Sequence, residues 1–180
     1  MTATRENDHV PITLTHLNAC PADEFVAAVG PIFEHSPWIA AAVVSARPFA
    51  SRDALHGALC DVVRAAGEER QLALIRAHPD LVGREVRRHE ARLTAESSRE
   101  QAAAGLMDLT PDDIARFDRY NTAYKARFGF PFVICARQNK KEAILHAFPE
   151  RLEHSRDEEI AEALRQIFEI ARLRLDDLVP

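Results

Sequence analysis

The feature that most constrains the fold is a series of helix-start signals, each followed by apolar residues at helical spacing. The segment Thr110-Pro111-Asp112-Asp113 is the clearest signal. It offers a capping hydroxyl, a proline suited to the first helical position, and acidic side chains at the positive end of the helix dipole. No long alternating pattern typical of strands competes with these signals. The sequence therefore predicts an all-α, single-domain bundle of about eight helices.

The predicted helices follow from these starts and from the glycines and prolines that end them. They run from Pro21 to Gly30, Ser36 to Ala46, Ser51 to Gly67, Glu68 to about His78, Ser97 to Leu106, Thr110 to Gly129, Lys140 to Phe148 and Asp157 to Leu178. The apolar run from Phe132 to Ala136 fits either a buried extended piece or the start of a helix. Residues 1–10 are predicted to be a flexible tail, and residues 11–180 one helical domain.

Composition argues against several classes of function. The formal net charge is -5 with no basic stripe, which disfavours nucleic-acid binding. The densest basic stretch, Arg84 to Arg92, is interrupted by acidic residues and is typical of a solvated face. No apolar run approaches the ~20 residues of a membrane span. The 3 cysteines form no CxxC pair, which favours a reduced, intracellular protein.

His78 is the first candidate for chemistry. It lies where a helix is predicted to end, because Pro79 disfavours helical geometry at the residue before it. A helix C-terminus favours the protonated imidazolium, and an ordinary histidine pKa near ~6.5 suits proton transfer at neutral pH. A lone histidine in this position is more often a helix terminator than a catalyst. The catalytic interpretation gains weight only if partners converge on the ring.

Ser97, Glu100 and Gln101 are the second candidates, because their spacing places them on one helix face. A Ser-x-x-Glu pattern at a helix start is typical of a capping box, in which each side chain accepts the other residue's backbone N–H. A capping box explains Ser97 and Glu100 without any function but leaves Gln101 unexplained. The two roles can coexist, since helix N-termini also hold anions.

Arg174 is the third candidate, because it falls on the apolar stripe of the last predicted helix. The stripe contains Leu164, Ile167, Ala171 and Leu178. An arginine on a buried face needs a partner, since an unpaired buried charge is very costly. The pattern fits a structural ion pair, a side chain that reaches outward to solvent, or a clamp for a carboxylate or oxyanion about equally well.

Short sequence blocks around these candidates occur in a specific order along most of the chain. They are Glu34-His35-Ser36-Pro37-Trp38, Ala77-His78-Pro79-Asp80-Leu81, Leu93-Thr94, Glu96-Ser97, Glu100-Gln101, Ala104-Gly105-Leu106, Tyr120-Asn121 with Tyr124, Phe128-Gly129-Phe130-Pro131-Phe132 and Leu173-Arg174-Leu175. Any single block is weak, but their order and spacing together are specific. In both respects the chain resembles the 2-oxo-4-hydroxy-4-carboxy-5-ureidoimidazoline (OHCU) decarboxylases of urate degradation.

The resemblance implies an all-helical, cytoplasmic enzyme, usually a homodimer, that converts OHCU to S-allantoin without a metal or organic cofactor. It implies that His78 is catalytic and that Glu100 assists it, for example by orienting the imidazole. It also implies that Ser97, Gln101 and Arg174 bind substrate. Pro79 and the main chain around Phe130, Val133 and Ile134 are expected to line the substrate pocket. Neither a nucleic acid nor a membrane is implied as a partner.

Two positions depart from the family pattern. Val82 stands where Ala or Gly is common, and His154 stands where many relatives have Asn.

Two other functions compete with the decarboxylase interpretation. A non-catalytic helical module that binds a purine-derived ligand or a protein would keep the bundle, but it would not need His78, Glu100 and Arg174 together. A lyase or hydrolase acting on a related ureido acid is the other alternative.

Overall fold

The helix-start signals become helix N-termini in the computed structural model, which describes residues 12–82, 94–106 and 109–180. Nine α-helices form within these ranges: α1 Leu14–Ala19, α2 Ala22–Val29, α3 Pro37–Val43, α4 Arg52–Ala65, α5 Glu68–Ala77, α6 Ala95–Ala103, α7 Pro111–Phe128, α8 Lys141–Leu152 and α9 Arg156–Leu178. No strand occurs in the same ranges, so the all-α prediction is confirmed. The short α1 is the helix that the sequence analysis did not identify. The predicted tail at residues 1–10 and the basic stretch from Arg84 to Arg92 lie outside the described residues.

The strongest predicted helix start has the expected geometry. The Thr110 hydroxyl accepts the Asp113 backbone N–H at 3.1 Å, and the Asp113 carboxylate accepts the Thr110 backbone N–H at 3.2 Å. This reciprocal capping box satisfies two of the N–H groups that a helix start leaves without partners. At the other end of α7, Gly129 closes the helix in the left-handed conformation with φ 79°, which glycine adopts without a Cβ clash.

Two predicted boundaries are wrong. Helix α6 starts at Ala95 rather than Ser97, because the Thr94 side chain caps it by accepting the Ser97 N–H at 3.2 Å. Helix α8 continues through Pro149 to Leu152 instead of ending at Phe148. Proline costs a helix one backbone hydrogen bond, but tertiary contacts of the last turn compensate for that loss here.

Those contacts are made by Arg151, which is 6% exposed, and they fix the chain that follows α7. Arg151 donates to the Glu159 carboxylate at 2.8 Å and to the Val133 carbonyl at 2.7 Å. The Tyr124 hydroxyl donates to the same carboxylate. Burial raises the pKa of this phenol, which therefore stays protonated as a donor. His154, the departure noted above, contacts Glu159 at 2.6 Å from its Nδ1.

Residues 130–135 form a non-helical segment, so the apolar run from Phe132 to Ala136 is not the start of an α-helix. This 130–135 segment leads into a single 3-10 turn at Ala136–Gln138. Aromatic rings pack around it: Tyr124 contacts Phe128, Phe130, Phe132 and Phe148 with ring centroids 4.7–6.5 Å apart. Helix α9 packs against α4 and α5, and the 3-10 turn packs against α6. The C-terminus of α5, the face of α6, the 130–135 segment and α9 thus meet around one cavity.

None of the described helices is both long enough and apolar enough to cross a bilayer.

Candidate active site

The cavity at this meeting point collects most of the residues that the sequence analysis singled out. Its volume is about 30 Å³, roughly the space of one water molecule. It is lined by His78, Pro79, Leu81, Ser97, Glu100, Gln101, Phe132, Val133, Ile134, Ala136, Ile170 and Arg174. Side chains from four separate parts of the chain therefore converge, as the catalytic interpretation of His78 requires.

Phe130 is the exception among the predicted site residues. Its side chain is 1% exposed and does not line the cavity. Its ring packs instead on Tyr124 and Phe128. Phe132, Val133 and Ile134 line the cavity from the same segment.

The His78 ring is oriented by the helix that it ends. Its Nδ1 lies 3.0 Å from the Leu74 carbonyl, one turn earlier in α5. A carbonyl can only accept a hydrogen bond, so Nδ1 carries the proton of the neutral ring. The remaining nitrogen, Nε2, then has a free lone pair and is the basic atom of the ring. The expected orienting role of Glu100 therefore falls to Leu74, since no hydrogen bond joins Glu100 to His78 in the described structure.

His78 is neutral in the folded protein near pH 7. Burial lowers the pKa of its imidazole to about 4, while the Leu74 hydrogen bond and the Glu34 charge oppose that effect. The sequence analysis expected the helix C-terminus to favour the imidazolium. The expectation was wrong because the ring is buried, and burial penalises the charged form more than the helix dipole favours it.

Helix α6 presents Ser97 and Glu100 inward because its start lies at Thr94. With Thr94 as the cap, the hydroxyl of Ser97 is free to donate to the Glu34 carboxylate at 3.1 Å. Glu100 accepts two hydrogen bonds from Arg174, at 2.7 and 2.8 Å. The capping-box interpretation of Ser97 and Glu100 is therefore wrong, and both side chains belong to the cavity instead.

Every N–H of the Arg174 guanidinium has a protein acceptor. Nε and Nη2 bond to Glu100, Nη2 also contacts the Ser97 hydroxyl at 3.3 Å, and Nη1 donates to Glu34 at 3.0 Å. Nη1 also lies 3.4 Å from the carbonyls of Pro31 and Ile32. Burial works against the charge, but the Glu100 and Glu34 carboxylates outweigh it and raise the pKa of the guanidinium. The ion-pair interpretation of Arg174 fits, and a ligand can reach this side chain only by replacing a protein partner.

Glu34 is a site residue to which the sequence analysis gave no role. Its side chain is buried at 2% exposure and bonds to both Ser97 and Arg174. Burial opposes ionisation of this carboxyl, but Arg174, a hydrogen bond from Thr94 and the nearby His78 together lower its pKa. The available signal was a lone carboxylate directly after the apolar pair Ile32-Phe33.

Gln101 and Asn121 hold the loop that follows His78. The Gln101 side-chain carbonyl accepts the Val82 backbone N–H at 3.3 Å, and the Asn121 amide donates to the Leu81 carbonyl at 2.9 Å. Val82 is in the left-handed region with φ 52°. A β-branched residue rarely adopts this conformation, which explains why glycine suits the position and why the departure noted above is strained. The amide contacts keep the strained loop in place.

A second, larger cavity adjoins the first. Its volume is about 620 Å³, and Glu100 and Arg174 line both spaces. Arg99 and Arg137 also line it, and each is paired with a carboxylate, Glu96 and Asp177 respectively. The Arg174–Glu100 ion pair therefore stands between a space the size of one water and a space large enough for a small organic molecule.

One group of described side chains has the composition of a metal site. His16, Cys20 and Glu24 place three ligand atoms within 4.8 Å of one another, but none of them lines either cavity. An Arg47 N–H lies 3.9 Å from the Cys20 sulfur, and this positive charge disfavours a cation there. At the active cavity, both buried carboxylates are committed to Arg174.

Comparisons with known proteins point to one family. A family model described as OHCU decarboxylase matches residues 18–176. The 2-oxo-4-hydroxy-4-carboxy-5-ureidoimidazoline decarboxylase of Amia calva is 44% identical over 169 residues, covering 92% of this chain and 94% of that protein. Its counterpart from Haloferax volcanii is 42% identical over 164 residues, covering 91% and 94%.

A solved structure shares the fold. The crystal structure of (S)-allantoin synthase superposes with a TM-score of 0.74 at 28% identity, covering 93% of this chain. This chain spans 54% of the length of that protein. The similarity therefore extends over nearly all of the helical bundle described above.

Proposed function

The chain belongs to the OHCU decarboxylase family, and from that membership we propose that it is a carboxy-lyase that converts OHCU to (S)-allantoin and CO2 in urate degradation. The observation that carries the proposal is the convergence of His78, Ser97, Glu100, Gln101 and Arg174 on one cavity. A non-catalytic binding module has no need of a neutral, oriented imidazole beside two carboxylates and a guanidinium.

The chemistry of the substrate defines what these residues have to do. In OHCU the carboxyl and hydroxyl groups share the ring carbon C4, and C5 carries the ureido group. When CO2 leaves, the electron pair of the broken C–C bond is delocalised into the unsaturated ring. The C4 hydroxyl then becomes a carbonyl as its proton is lost, and C5 takes up a proton on one face. A further proton from solvent neutralises the ring nitrogen that received the electron pair, so the product is uncharged. Because the ring itself accepts the electron pair, the protein's task is to move protons and stabilise charge.

His78 is proposed to handle the proton. Its neutral ring offers the Nε2 lone pair as a base for the C4 hydroxyl, because Leu74 holds the Nδ1 proton. The imidazolium formed in this way can return the proton to C5, which fixes the configuration of the product. The burial that lowers the pKa of His78 favours this return, because it disfavours the charged ring.

Glu100 is proposed to assist by holding Arg174 rather than by touching His78. Its bidentate bonds fix the guanidinium plane beside the cavity. Arg174, with Ser97 and Gln101, is proposed to bind the oxygen atoms of the substrate. Since all the Arg174 donors are engaged, a substrate oxygen must displace a protein acceptor, and the cavity must widen beyond its present volume of about 30 Å³.

The test is the ultraviolet absorbance of OHCU, generated in place by urate oxidase and hydroxyisourate hydrolase. The protein is expected to accelerate the decay of the OHCU signal well beyond the spontaneous rate. His78→Asn is expected to lower kcat by roughly 10²- to 10⁴-fold, the usual contribution of general acid–base catalysis. Its melting temperature should stay near that of the parent protein. No acceleration by the parent protein would favour the non-catalytic module, and near-normal turnover of the variant would remove His78 from the mechanism.

Two broader expectations accompany the activity. The family resemblance supports a homodimer, which light scattering of the purified protein tests directly. A cytoplasmic location is supported by Cys20, Cys60 and Cys135, which are all unpaired thiols of the kind that a reducing compartment preserves.

A further inference from the structure

The buried charges of the cavity are unequal in number. Arg174 supplies one positive charge, Glu34 and Glu100 supply two negative charges, and His78 is neutral near pH 7. The side chains of Arg174 and Glu34 are 5% and 1% exposed, so solvent screens them little. The three ionised side chains together therefore carry one net negative charge in the resting site, and such an imbalance is costly where solvent screens it little.

The geometry identifies which carboxylate carries this surplus. Glu100 bonds to Arg174 through both of its oxygens, an arrangement that pairs the two charges fully. Glu34 bonds to Arg174 through Oε2 alone, and the same oxygen accepts the Ser97 hydroxyl. Glu34 is also the carboxylate whose field acts on His78, against the opposing fields of Arg174 and His35.

The backbone beside Glu34 is held in an uncommon conformation. His35 has φ 46°, in the left-handed region that non-glycine residues rarely adopt. Such a conformation persists only where surrounding contacts enforce it. Helix α3 starts at Pro37, with Ser36 as the cap residue, so Glu34 lies just before a helix start, where it bonds to Ser97 and Arg174.

We infer that Glu34 is a positioning residue of the decarboxylation. It fixes Ser97 and Arg174, and it supplies the negative charge that balances the imidazolium formed when His78 takes a proton from the substrate. This inference rests on the proposed function. It assigns to Glu34 an electrostatic support of His78, whereas the role expected of Glu100 was to orient the imidazole.

The test is Glu34→Gln, which keeps the size and hydrogen-bonding oxygen of the side chain but removes its charge. We expect kcat to fall by about 10- to 100-fold, less than the roughly 10²- to 10⁴-fold that loss of the acid–base group itself causes, with a much smaller change in KM. We also expect the His78 imidazole to titrate at lower pH, because Glu34 now favours its protonated form. NMR of the histidine ring signals, followed from neutral pH to well below the parent pKa of about 4, measures this shift, with His78→Asn used for assignment.

Two further variants separate positioning from a merely structural role. Glu34→Asp restores the charge on a shorter side chain, so part of kcat and of the His78 titration should return. Glu68→Gln removes one exposed carboxylate from a pair with Arg156, remote from both cavities, and should leave kcat and the titration unchanged. A folded Glu34→Gln protein with parental kcat and an unmoved His78 titration would overturn the inference.

The same experiments distinguish this inference from the proposed function. If the parent protein does not accelerate OHCU decay, the function fails, whereas the NMR titration still reports whether Glu34 supports protonation of His78. If Glu34→Gln unfolds, Glu34→Asp carries the test. A folded Glu34→Asp protein that titrates His78 at the parental pH but has lost kcat contradicts the electrostatic part of the inference.

Discussion

At the scale of single residues, Arg174 determines how its neighbours can behave. Its guanidinium connects α9 to Glu100 on α6 and to Glu34 before α3, so one side chain ties three parts of the fold together. Lysine carries the same charge but lacks the planar fork that bonds to two carboxylates at once.

Arg174→Lys should therefore destabilise the protein by about 1–3 kcal/mol, the cost of leaving a buried acceptor without its donor. It should also lower kcat/KM, because Glu34 and Glu100 lose their fixed geometry. Urea unfolding and the OHCU assay measure the two effects. Arg64→Lys is the matched control, since the Arg64 side chain is 59% exposed in its pair with Asp61 and such pairs contribute at most about 1 kcal/mol. Equal losses in the two variants would contradict the view that Arg174 is a structural junction.

The residues of the site could be predicted from the sequence better than their contacts. His78, Ser97, Glu100 and Arg174 were identified from helix patterns and family blocks, and all four line the cavity. Glu34 received no role because its contact with Arg174 spans 140 residues, and no local pattern encodes such a pairing. The low pKa of His78 could not be foreseen either, because it depends on how deeply other elements bury the ring.

At the scale of elements, the start of α6 decides which way its side chains point. A cap at Thr94 places Ser97 and Glu100 inside the helix with their polar atoms free for the cavity. A cap at Ser97 would have used both side chains to satisfy backbone N–H groups. The contacts of Ser97 with Glu34 and of Glu100 with Arg174 favour the cap at Thr94, because they use the side chains that a cap at Ser97 would need.

Thr94→Ala should remove this cap at a cost of about 1 kcal/mol in the free energy of unfolding. We also expect kcat/KM to fall several-fold, because the first turn of α6 frays without its cap. The size of this fall should correspond roughly to the lost cap energy. Ser51→Ala is the matched variant, because the Ser51 hydroxyl caps α4 in the same way, accepting the Ala54 N–H at 3.1 Å, away from the cavity. The two variants should lose similar stability, measured by thermal melting, but only Thr94→Ala should lose activity.

Element boundaries set the other limit on prediction. The sequence predicts that α8 ends before Pro149, as proline usually requires, yet the helix continues to Leu152. The extra turn carries Arg151 to Glu159 and to the Val133 carbonyl, and these bonds hold the 130–135 segment at the cavity wall. Because the compensating partners lie in other elements, local sequence rules could not have revealed the longer helix.

At the scale of the whole molecule, the buried imidazole couples stability to pH. His78 has a folded pKa of about 4 against an ordinary value of 6.5, so the unfolded chain binds this proton first as the pH falls. Stability is therefore fully present above 6.5 and is lost as the pH falls toward about 4. Glu34 opposes the shift, and Arg174 and His35 add to it.

The free energy of unfolding should thus fall by up to about 3 kcal/mol across this window, at 1.36 kcal/mol for each pH unit. Urea unfolding at a series of pH values measures the slope. In His78→Asn the slope between these pH values should flatten, since asparagine does not titrate. Protonation of Glu34 also lowers the free energy of unfolding, because its pKa is lowered in the folded protein, but this contribution begins only below the ordinary value of 4.5. The contributions of His78 and Glu34 therefore fall in different pH ranges. A variant slope equal to that of the parent protein would show that another group governs acid stability.

The complete engagement of Arg174 has a consequence for how a catalytic cycle ends. An incoming substrate can bind the guanidinium only by displacing a protein acceptor. The charges stay balanced in this exchange as long as the ligand brings a negative charge of its own. Once the carboxylate has left as CO2, the remaining neutral molecule is a weaker acceptor than Glu100. If the substrate binds Arg174 as proposed, we expect Glu100 then to reclaim its two bonds, so that the protein's own carboxylate competes with the product for the guanidinium.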